Sequence, residues 1–195
     1  EVIQVKTTGY PMLLTAALVL AARFTTGSAS PYAKNWLVRG RAIGVLPDAS
    51  SSLSGLDVDD AYTVELDLSY FFTKNIAVEV IAATARHEVT LNGTSLGKVS
   101  VLPPTVTLQY HFTDLGAWKP YVGGGLNYTW FYDVGLQSPL DISRNSWGGA
   151  LQAGVDYAID KNWLINVDVK YIWISTDVSA AGSKLTTLDI NPWVV

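Results

Sequence analysis

The amino-acid sequence predicts an all-β fold, an eight-stranded antiparallel transmembrane β-barrel of up-and-down topology. Three observations support this prediction: segments that alternate with a period of two, aromatic residues at the ends of those segments, and connections that alternate between short and long. Closure into a barrel is required because only a closed sheet leaves no unpaired backbone edge within a bilayer.

The segment 162–175 shows the alternation most clearly. One row of its side chains is apolar, beginning with Trp163 and ending with Trp173, while the other row has Asp168 and Lys170 at its centre. The two tryptophans are separated by about 33 Å of extended chain at ~3.3 Å per residue. A strand tilt of ~40° projects this length to roughly 25 Å, the height of the apolar band on an outer-membrane barrel. The apolar row is therefore predicted to face lipid and the polar row to face the lumen.

The composition agrees with a membrane barrel and excludes several other classes of protein. Charged residues make up 15% of the chain and hydrophobic residues 49%, against a usual charged share of about 25%. The longest apolar run, residues 13–22, is too short for a spanning helix, which needs ~20 residues. With a formal net charge of −4 and no basic cluster, the sequence predicts no nucleic-acid partner. The absence of cysteine excludes disulfides and thiolate chemistry.

Residues 1–34 do not show the barrel pattern. Their apolar run is followed by small residues at 28–30, an order typical of a secretory signal peptide and its cleavage site, with Lys6 as the only cation before the run. We expect residues 1–34 to form a signal-peptide-like or non-barrel segment. Residues 35–195 are expected to form the barrel, with a last strand that is cut short.

Eight strand-like segments follow one another between residues 35 and 195. In each segment one row of alternate side chains is apolar or aromatic, and the other row carries the polar residues. The first seven lipid-facing rows begin at Trp36, Tyr62, Ile76, Val106, Val122, Trp147 and Trp163. The eighth segment covers residues 186–195, and eight strands form the smallest barrel of this class.

The connections between these segments predict the orientation of the barrel. Three of them are short and four are long, and the two kinds alternate along the chain, as in bacterial outer-membrane barrels with short periplasmic turns and long extracellular loops. The short connections are 73–75, 113–117 and 159–162, and the long ones are 47–60, 87–100, 133–145 and 175–183. Aromatic residues gather at the short-turn end, as an interfacial girdle requires. They are Trp36, Tyr70, Phe72, Tyr110, Phe112, Trp118, Tyr157 and Trp163.

Charged residues of both signs fall on the predicted lumen rows. An eight-stranded barrel is about filled by its own side chains, and buried charges must be paired. We therefore expect a closed polar plug near the periplasmic half, with structural ion pairs and no wide aqueous pore. Its predicted members are Arg39, Arg41, Glu65, Asp67, Glu79, His111, Asp168 and Lys170.

Apolar side chains are predicted to line the lumen above the plug, and two prolines interrupt the fourth strand. Proline cannot donate to a sheet ladder, so the ladder must break at this point. The break is either a lateral gap towards the bilayer or a simple bulge that curves the wall. The predicted conduit comprises Leu56, Ile81, Leu102, Pro103, Pro104, Ile172 and Ile174.

The sequence offers no catalytic, cofactor or metal site. His87 and His111 are the only histidines, and the predicted topology puts them at different levels of the barrel, where they cannot share a site. The run 123–125 of three glycines enters a strand and not a helix, so it is not a phosphate-binding loop. We therefore expect no enzymatic activity.

Several sequence motifs resemble the outer-membrane protein W (OmpW) family. They are NWLVRGR at 35–41, LPPT at 102–105 leading to LQYHF at 108–112, KPYVG at 119–123 with GLNY at 125–128, and DINPWV at 189–194. The resemblance implies an eight-stranded barrel of the Gram-negative outer membrane. It also implies an outward-opening hydrophobic pocket for passive uptake of small hydrophobic molecules, and relatives include alkane-uptake proteins. The family continues past NPWV to a final aromatic residue.

Two functions of different class follow as hypotheses. The first is a porin-like conduit for small hydrophobic solutes. The second is a structural or surface-interaction barrel, for adhesion or stress, that transports nothing. The expected partners are outer-membrane lipid or lipopolysaccharide and small hydrophobic solutes, with the chain acting as a monomer or an oligomer.

Overall fold

A computed structural model describes residues 19–22, 36–160 and 163–195, and the elements below are those of these ranges. Every regular element there is a β-strand. The strands are β1 (Val19–Ala22), β2 (Trp36–Leu46), β3 (Ser50–Ser51), β4 (Leu56–Val58), β5 (Ala61–Phe71), β6 (Ile76–Ala83), β7 (Ala85–Leu91), β8 (Thr94–Leu102), β9 (Thr105–His111), β10 (Trp118–Leu136), β11 (Leu140–Ile142), β12 (Asn145–Ala158), β13 (Trp163–Ile172), β14 (Ser175–Ala180), β15 (Ser183–Asp189) and β16 (Trp193–Val194). Within the described ranges, no helix is long and apolar enough to cross a membrane.

The main sheet closes on itself and forms a barrel wall in which neighbouring strands are antiparallel. Its order around the wall is β2, β5, β6, β9, β10, β12 and β13, followed by an eighth position that returns to β2. The fourth wall strand has two parts, because β8 continues the line of β9 and also pairs with β10. The predicted eight-stranded up-and-down topology is confirmed.

The eighth wall position is shared by two short strands. Towards the long-loop end, β16 lies between β13 and β2, and its Val194 is paired with Lys170 and with Val45. Towards the short-turn end, β1 lies between the same two strands, and its Ala22 is paired with Trp163. The barrel therefore closes through a strand that precedes the first long wall strand in sequence.

This closure corrects one expectation. Residues 1–34 were predicted to lie outside the barrel, and this is wrong for Val19–Ala22, which joins the sheet. The physical reason is that β2 and β13 both present backbone donors and acceptors at this level, and an extended apolar segment can pair with both. The other residues of 1–34 lie outside the described ranges, and removal of a signal peptide stays a prediction.

The strands continue well beyond the barrel wall at the long-loop end. One extension consists of β4, β7, β8 and the end of β10, and a second sheet has the order β11, β14, β15, β3. Much of the four connections predicted as long loops is therefore β-structure. Two of the connections close with tight turns, because Asn92 with Gly93 and Ala181 with Gly182 all have positive φ, as two-residue hairpin turns of type I′ require.

Burial along the wall strands follows the predicted alternation. In β5, for example, Tyr62, Val64 and Leu66 are exposed, while Glu65 and Asp67 are buried. The aromatic side chains form two bands on the outer surface. At the short-turn end, contacting ring pairs are Trp36 with Tyr70, Tyr70 with Phe72, Tyr110 with Phe112 and Trp118 with Tyr157. At the long-loop end they are Trp130 with Tyr132, Tyr128 with Trp147 and Tyr171 with both Trp173 and Trp193.

Candidate functional site: an apolar chamber above a sealed charge network

The lumen is crossed by a network of buried charges that begins on β2. Arg39 and Arg41 are two residues apart and therefore point to the same face of the strand. Arg39 Nε lies 2.8 Å from Asp67 Oδ1, and Arg41 Nη2 lies 2.5 Å from Asp67 Oδ2. Both arginines also contact Glu79 on β6, two wall positions from β2. The pairs form because the register places Arg39 opposite Asp67 and Arg41 opposite Glu65.

The network continues across the eighth wall position to β13. Arg41 Nη1 lies 2.8 Å from Asp168 Oδ1 on β13 and 3.3 Å from Glu65 Oε1. Lys170 Nζ lies 2.5 Å from Asp168 Oδ1 and 2.8 Å from Glu65 Oε1. These side chains are at most 3% exposed, so solvent does not screen the pairs.

His111 joins the same network through an amide. Its Nε2 lies 2.9 Å from Gln109 Oε1, and Gln109 Nε2 donates to Glu79 Oε2 at 2.7 Å. The eight residues predicted as a polar plug are thus connected by ion pairs and hydrogen bonds.

Two further residues of the network were absent from the predicted plug. Tyr121 Oη donates to Asp168 Oδ2 at 2.8 Å, and the guanidinium of Arg39 lies 5.5 Å from the Tyr121 ring centre. Asp156 accepts from Asn166 Nδ2 at 2.8 Å and lies 3.4 Å from Arg39. Strand alternation places Asp156 in the lumen from the sequence alone, and the same rule applied to β10 would have found Tyr121.

A small apolar cluster lies in the lumen at the start of β2, which is the short-turn end of the barrel. It consists of Leu37, Phe71, Ala77 and Leu164, none of which is more than 6% exposed. His111 lies between Phe71 and Tyr121, with ring centres 4.8 Å from each. Its ring is stacked on Tyr121 and tilted against Phe71. The end of the lumen near the short turns is therefore packed with side chains as well as with charges.

An apolar chamber occupies the lumen towards the long-loop end. It encloses about 1080 Å³, with open solvent at its mouth included. The wall side chains are mostly aliphatic, and the two extracellular β-extensions continue the lining upwards. Among the lining residues are Ile43, Val45, Leu56, Val58, Ile81, Val99, Val101, Phe131, Ile142, Ile172, Ile174, Val178, Leu188 and Val194. Glu65 and Lys170 also touch this space, so the charge network forms its floor.

Most of the predicted conduit residues line this chamber, and two do not. Those that do are Leu56, Ile81, Pro103, Ile172 and Ile174. Leu102 and Pro104 are not among the lining residues. The expectation that Leu102 lines the lumen is corrected by strand alternation, because Pro103 and Thr105 point inwards and their neighbours must point outwards. Pro104 belongs to the predicted lateral gap. Leu102 and Pro104 instead lie on the lipid-facing side of the wall.

The two prolines interrupt one seam of the wall. The seam between the third and fourth wall strands is paired up to Ile81 with Thr105, and pairing resumes at Ala85 with Val101. The register is the same on both sides of the interruption, so Ala83 faces Pro103 without a ladder bond. The predicted break in the ladder is therefore present. It lies at the level of the exposed Trp130, which is paired with Leu102, and hence at the band of aromatics near the long-loop end.

The two histidines lie at different levels, as the sequence predicts. His87 is on β7, lines the chamber above the aromatic band, and has Nδ1 2.8 Å from the carbonyl oxygen of Asp59. Burial lowers the pKa of His87, and the nearby carboxylates of Asp59 and Asp60 partly oppose this shift. His111 lies in the charge network. Among the described residues, no group of three or more His, Asp or Glu side chains is arranged to hold a metal ion.

Comparisons with known proteins agree with this architecture. The model of the OmpW family matches residues 33–195. An uncharacterized outer-membrane protein y4mB from Sinorhizobium fredii is 44% identical over 175 residues, which cover 82% of this chain and 76% of the relative. The crystal structure of the outer membrane protein OprG from Pseudomonas aeruginosa matches with a TM-score of 0.73 and 32% identity, over 85% of this chain and 93% of that one. The solid-state NMR structure of the outer membrane protein AlkL matches with a TM-score of 0.60 and 25% identity, over 88% and 91% of the two chains.

These relatives are named outer membrane proteins, and the structural neighbours are barrels of the same kind. The wall described above has the matching topology, with aromatic bands at both ends of its lipid-facing surface. The chain is an eight-stranded barrel of the bacterial outer membrane, and it belongs to the OmpW family.

Proposed function

We propose that this barrel takes up small hydrophobic molecules passively. A solute enters the apolar chamber from outside, reaches the charged floor at Glu65 and Lys170, and leaves sideways into the bilayer at Pro103 and Pro104. The observation that carries the proposal is that an aliphatic chamber ends on a buried charge network. A chamber with this lining favours apolar solutes, because it offers few partners for polar groups.

Lateral exit follows from the two barriers below the chamber. An apolar solute would have to displace paired charges and then the cluster at Leu37 and Phe71 to continue along the barrel axis. The broken seam lies at the level of the chamber floor, since Glu65 is paired with Ala83, which faces Pro103 by register. An apolar molecule gains by moving from the lumen into the hydrocarbon, and a polar one does not.

The experiment is uptake of a hydrophobic solute, such as a medium-chain alkane, into deletion cells with and without this protein. We expect faster uptake with the protein and no change in uptake of a small sugar. Equal alkane uptake with and without the protein, at a verified level in the outer membrane, would overturn the proposal.

A variant of the seam tests the exit route separately. Replacing Pro103 with Val and Pro104 with Thr restores two backbone donors. The donor of residue 103 faces the broken seam, because residue 104 faces β10 through its bond from Tyr128 N. The seam can then pair at this point, and alkane uptake should fall. The matched control is Pro120→Val, which changes a proline of the same barrel on β10, away from the broken seam. Unchanged uptake by a folded, inserted Pro103→Val/Pro104→Thr variant would rule out exit at this point.

A structural or surface-interaction barrel is the alternative, and it does not require an apolar chamber. We also propose that the protein has no catalytic activity, because its two histidines lie at different levels, His87 at the chamber and His111 in the charge network. The outer wall is expected to contact outer-membrane lipid or lipopolysaccharide, and the closed wall is compatible with a monomer.

A further inference from the structure

The interruption at Pro103 and Pro104 leaves backbone carbonyls that need donors. Proline has no N–H, so the seam loses ladder bonds, and an unpaired carbonyl at membrane depth is costly. Tyr128 N donates to the Pro104 carbonyl at 3.0 Å, which keeps the other seam of the fourth wall strand closed. Among the described residues, no backbone N–H donates to the Pro103 carbonyl.

A lumen side chain supplies the missing donors. Asn127 Nδ2 lies 3.2 Å from the Pro103 carbonyl oxygen, 3.4 Å from the Pro104 carbonyl oxygen and 2.9 Å from Thr105 Oγ1. Thr105 Oγ1 itself donates to the Pro103 carbonyl at 3.0 Å. Asn127 is completely buried and Thr105 is 1% exposed, so water does not take part in these bonds.

The orientation of the Asn127 amide is fixed by its partners. Both proline carbonyls are acceptors only, so the amide atom that faces them must be the nitrogen. On the other side, Thr129 Oγ1 donates to Asn127 Oδ1 at 2.7 Å. Thr129 is also completely buried. Asn127 is thus held by one neighbour on its own strand and turned towards the interruption.

We propose that Asn127 is a positioning residue that holds the diproline seam open. Its amide replaces the strand-to-strand bonds that the seam lacks, so the third and fourth wall strands need not close to satisfy the Pro103 carbonyl. The small side chains of Ala82 and Ala83 lie opposite the prolines by register, and they add little bulk to the interruption. This inference rests on the proposed function, because an open seam matters only if a solute passes it.

The test is a double-mutant cycle between Asn127→Leu and Pro103→Val/Pro104→Thr. Asn127→Leu keeps the size of the side chain and removes its donors. When both prolines are present, we expect Asn127→Leu to lower the unfolding midpoint in detergent and to reduce alkane uptake into liposomes at least tenfold, relative to the unaltered protein. In the Val/Thr background, where the backbone donors are restored, Asn127→Leu should lower the midpoint much less.

Asn166→Leu is the matched control, since Asn166 is also a completely buried amide donor but lies on β13, away from this seam. Its effect on the midpoint should be the same in both backgrounds. If Asn127→Leu also lowers the midpoint equally in both, Asn127 is an ordinary buried amide and the inference is wrong. If Asn127→Leu does not fold, Thr129→Val removes only the bond that orients the amide, and the same comparison is made with it.

Unfolding and uptake separate the two proposals. If the unaltered protein transports no alkane, the proposed function fails, while the coupling between Asn127 and the prolines is still measured in the unfolding midpoints. The unfolding midpoints could also show coupling in a protein that transports alkane. If Asn127→Leu then transports alkane at the original rate, Asn127 does not hold the seam open, and the inference is overturned.

Discussion

Lys170 and Glu65 lie on strands that are not neighbours in the barrel wall, yet their side chains meet in the lumen, with Nζ 2.8 Å from Oε1. The pair spans the eighth wall position and β2, and it touches the apolar chamber from below. It therefore marks the level at which an aliphatic lumen changes into a charged one.

Removal of one plug partner should destabilise the barrel strongly. Arg41→Ala removes a cation that pairs with both Asp67 and Asp168. Asp67→Ala removes an anion that pairs with both Arg39 and Arg41. In each variant, buried charges are left with fewer partners. We expect each change to lower the free energy of unfolding by ~3–5 kcal/mol. The measurement is urea unfolding of the protein in lipid vesicles.

The control for the plug variants is an exposed ion pair at the short-turn end. Lys74 and Asp114 are paired at 3.1 Å, with side chains 62% and 81% exposed. Lys74→Ala should change the free energy of unfolding by about 0–1 kcal/mol, because water screens such pairs. Equal midpoints for Arg41→Ala and the unaltered protein would show that the network does not stabilise the fold.

The sealed lumen predicts low ion conductance. The charged groups are paired with one another and packed above the Leu37 and Leu164 cluster, so no water-filled path follows the barrel axis. Planar-bilayer recordings should show no large, steady currents. A steady open-channel current typical of a porin would contradict the plug.

Two leucines of β15 test the chamber. Leu188 is 3% exposed and lines the chamber, while Leu185 on the same strand is 48% exposed. Leu188→Asn should reduce alkane uptake and lower the free energy of unfolding by ~1–3 kcal/mol, because its amide would be buried without partners. Leu185→Asn should change stability by no more than about 0.5 kcal/mol. Equal uptake by the two variants would show that solutes do not use the chamber.

His87 predicts a loss of stability in mild acid. Burial lowers its pKa, so the folded protein binds fewer protons at this site than the unfolded chain does. Stability contributed by neutral His87 is therefore present above the unfolded-state pKa of ~6.5 and is lost as the pH falls below it. His87→Gln should weaken the pH dependence of the unfolding midpoint between pH ~7.5 and ~5. An identical pH profile for the two proteins would contradict this assignment.

Much of the barrel follows from local pattern. A period of two assigns each side chain to the lumen or to the lipid, because successive side chains on a strand point to opposite faces. This rule correctly placed Arg39, Asp67 and Glu79 inside and Trp163 outside. The same rule, applied from Thr105, would have turned Pro104 and Leu102 outwards, and it would have added Tyr121 to the plug.

Other features depend on contacts that no local pattern describes. The sequence predicted long loops where the strands continue, although Asn92 and Gly93 carry a hairpin signal that favours extended flanking strands. The sequence also assigned no partner to Asn127. Its hydrogen bonds to the Pro103 and Pro104 carbonyls arise because the register between β9 and β10 puts Asn127 opposite Thr105.

The sequence by itself determined the fold class, the strand faces and the presence of charges in the lumen, because these depend on residue type and a period of two. Tertiary structure alone decided which charges meet, such as Lys170 with Glu65, and how the eighth wall position is filled by Val19–Ala22 and Trp193–Val194. The physical reason is that strand stagger and barrel closure set the relative height of residues far apart in the chain. Alternation fixes the direction of a side chain but not its partner across the lumen.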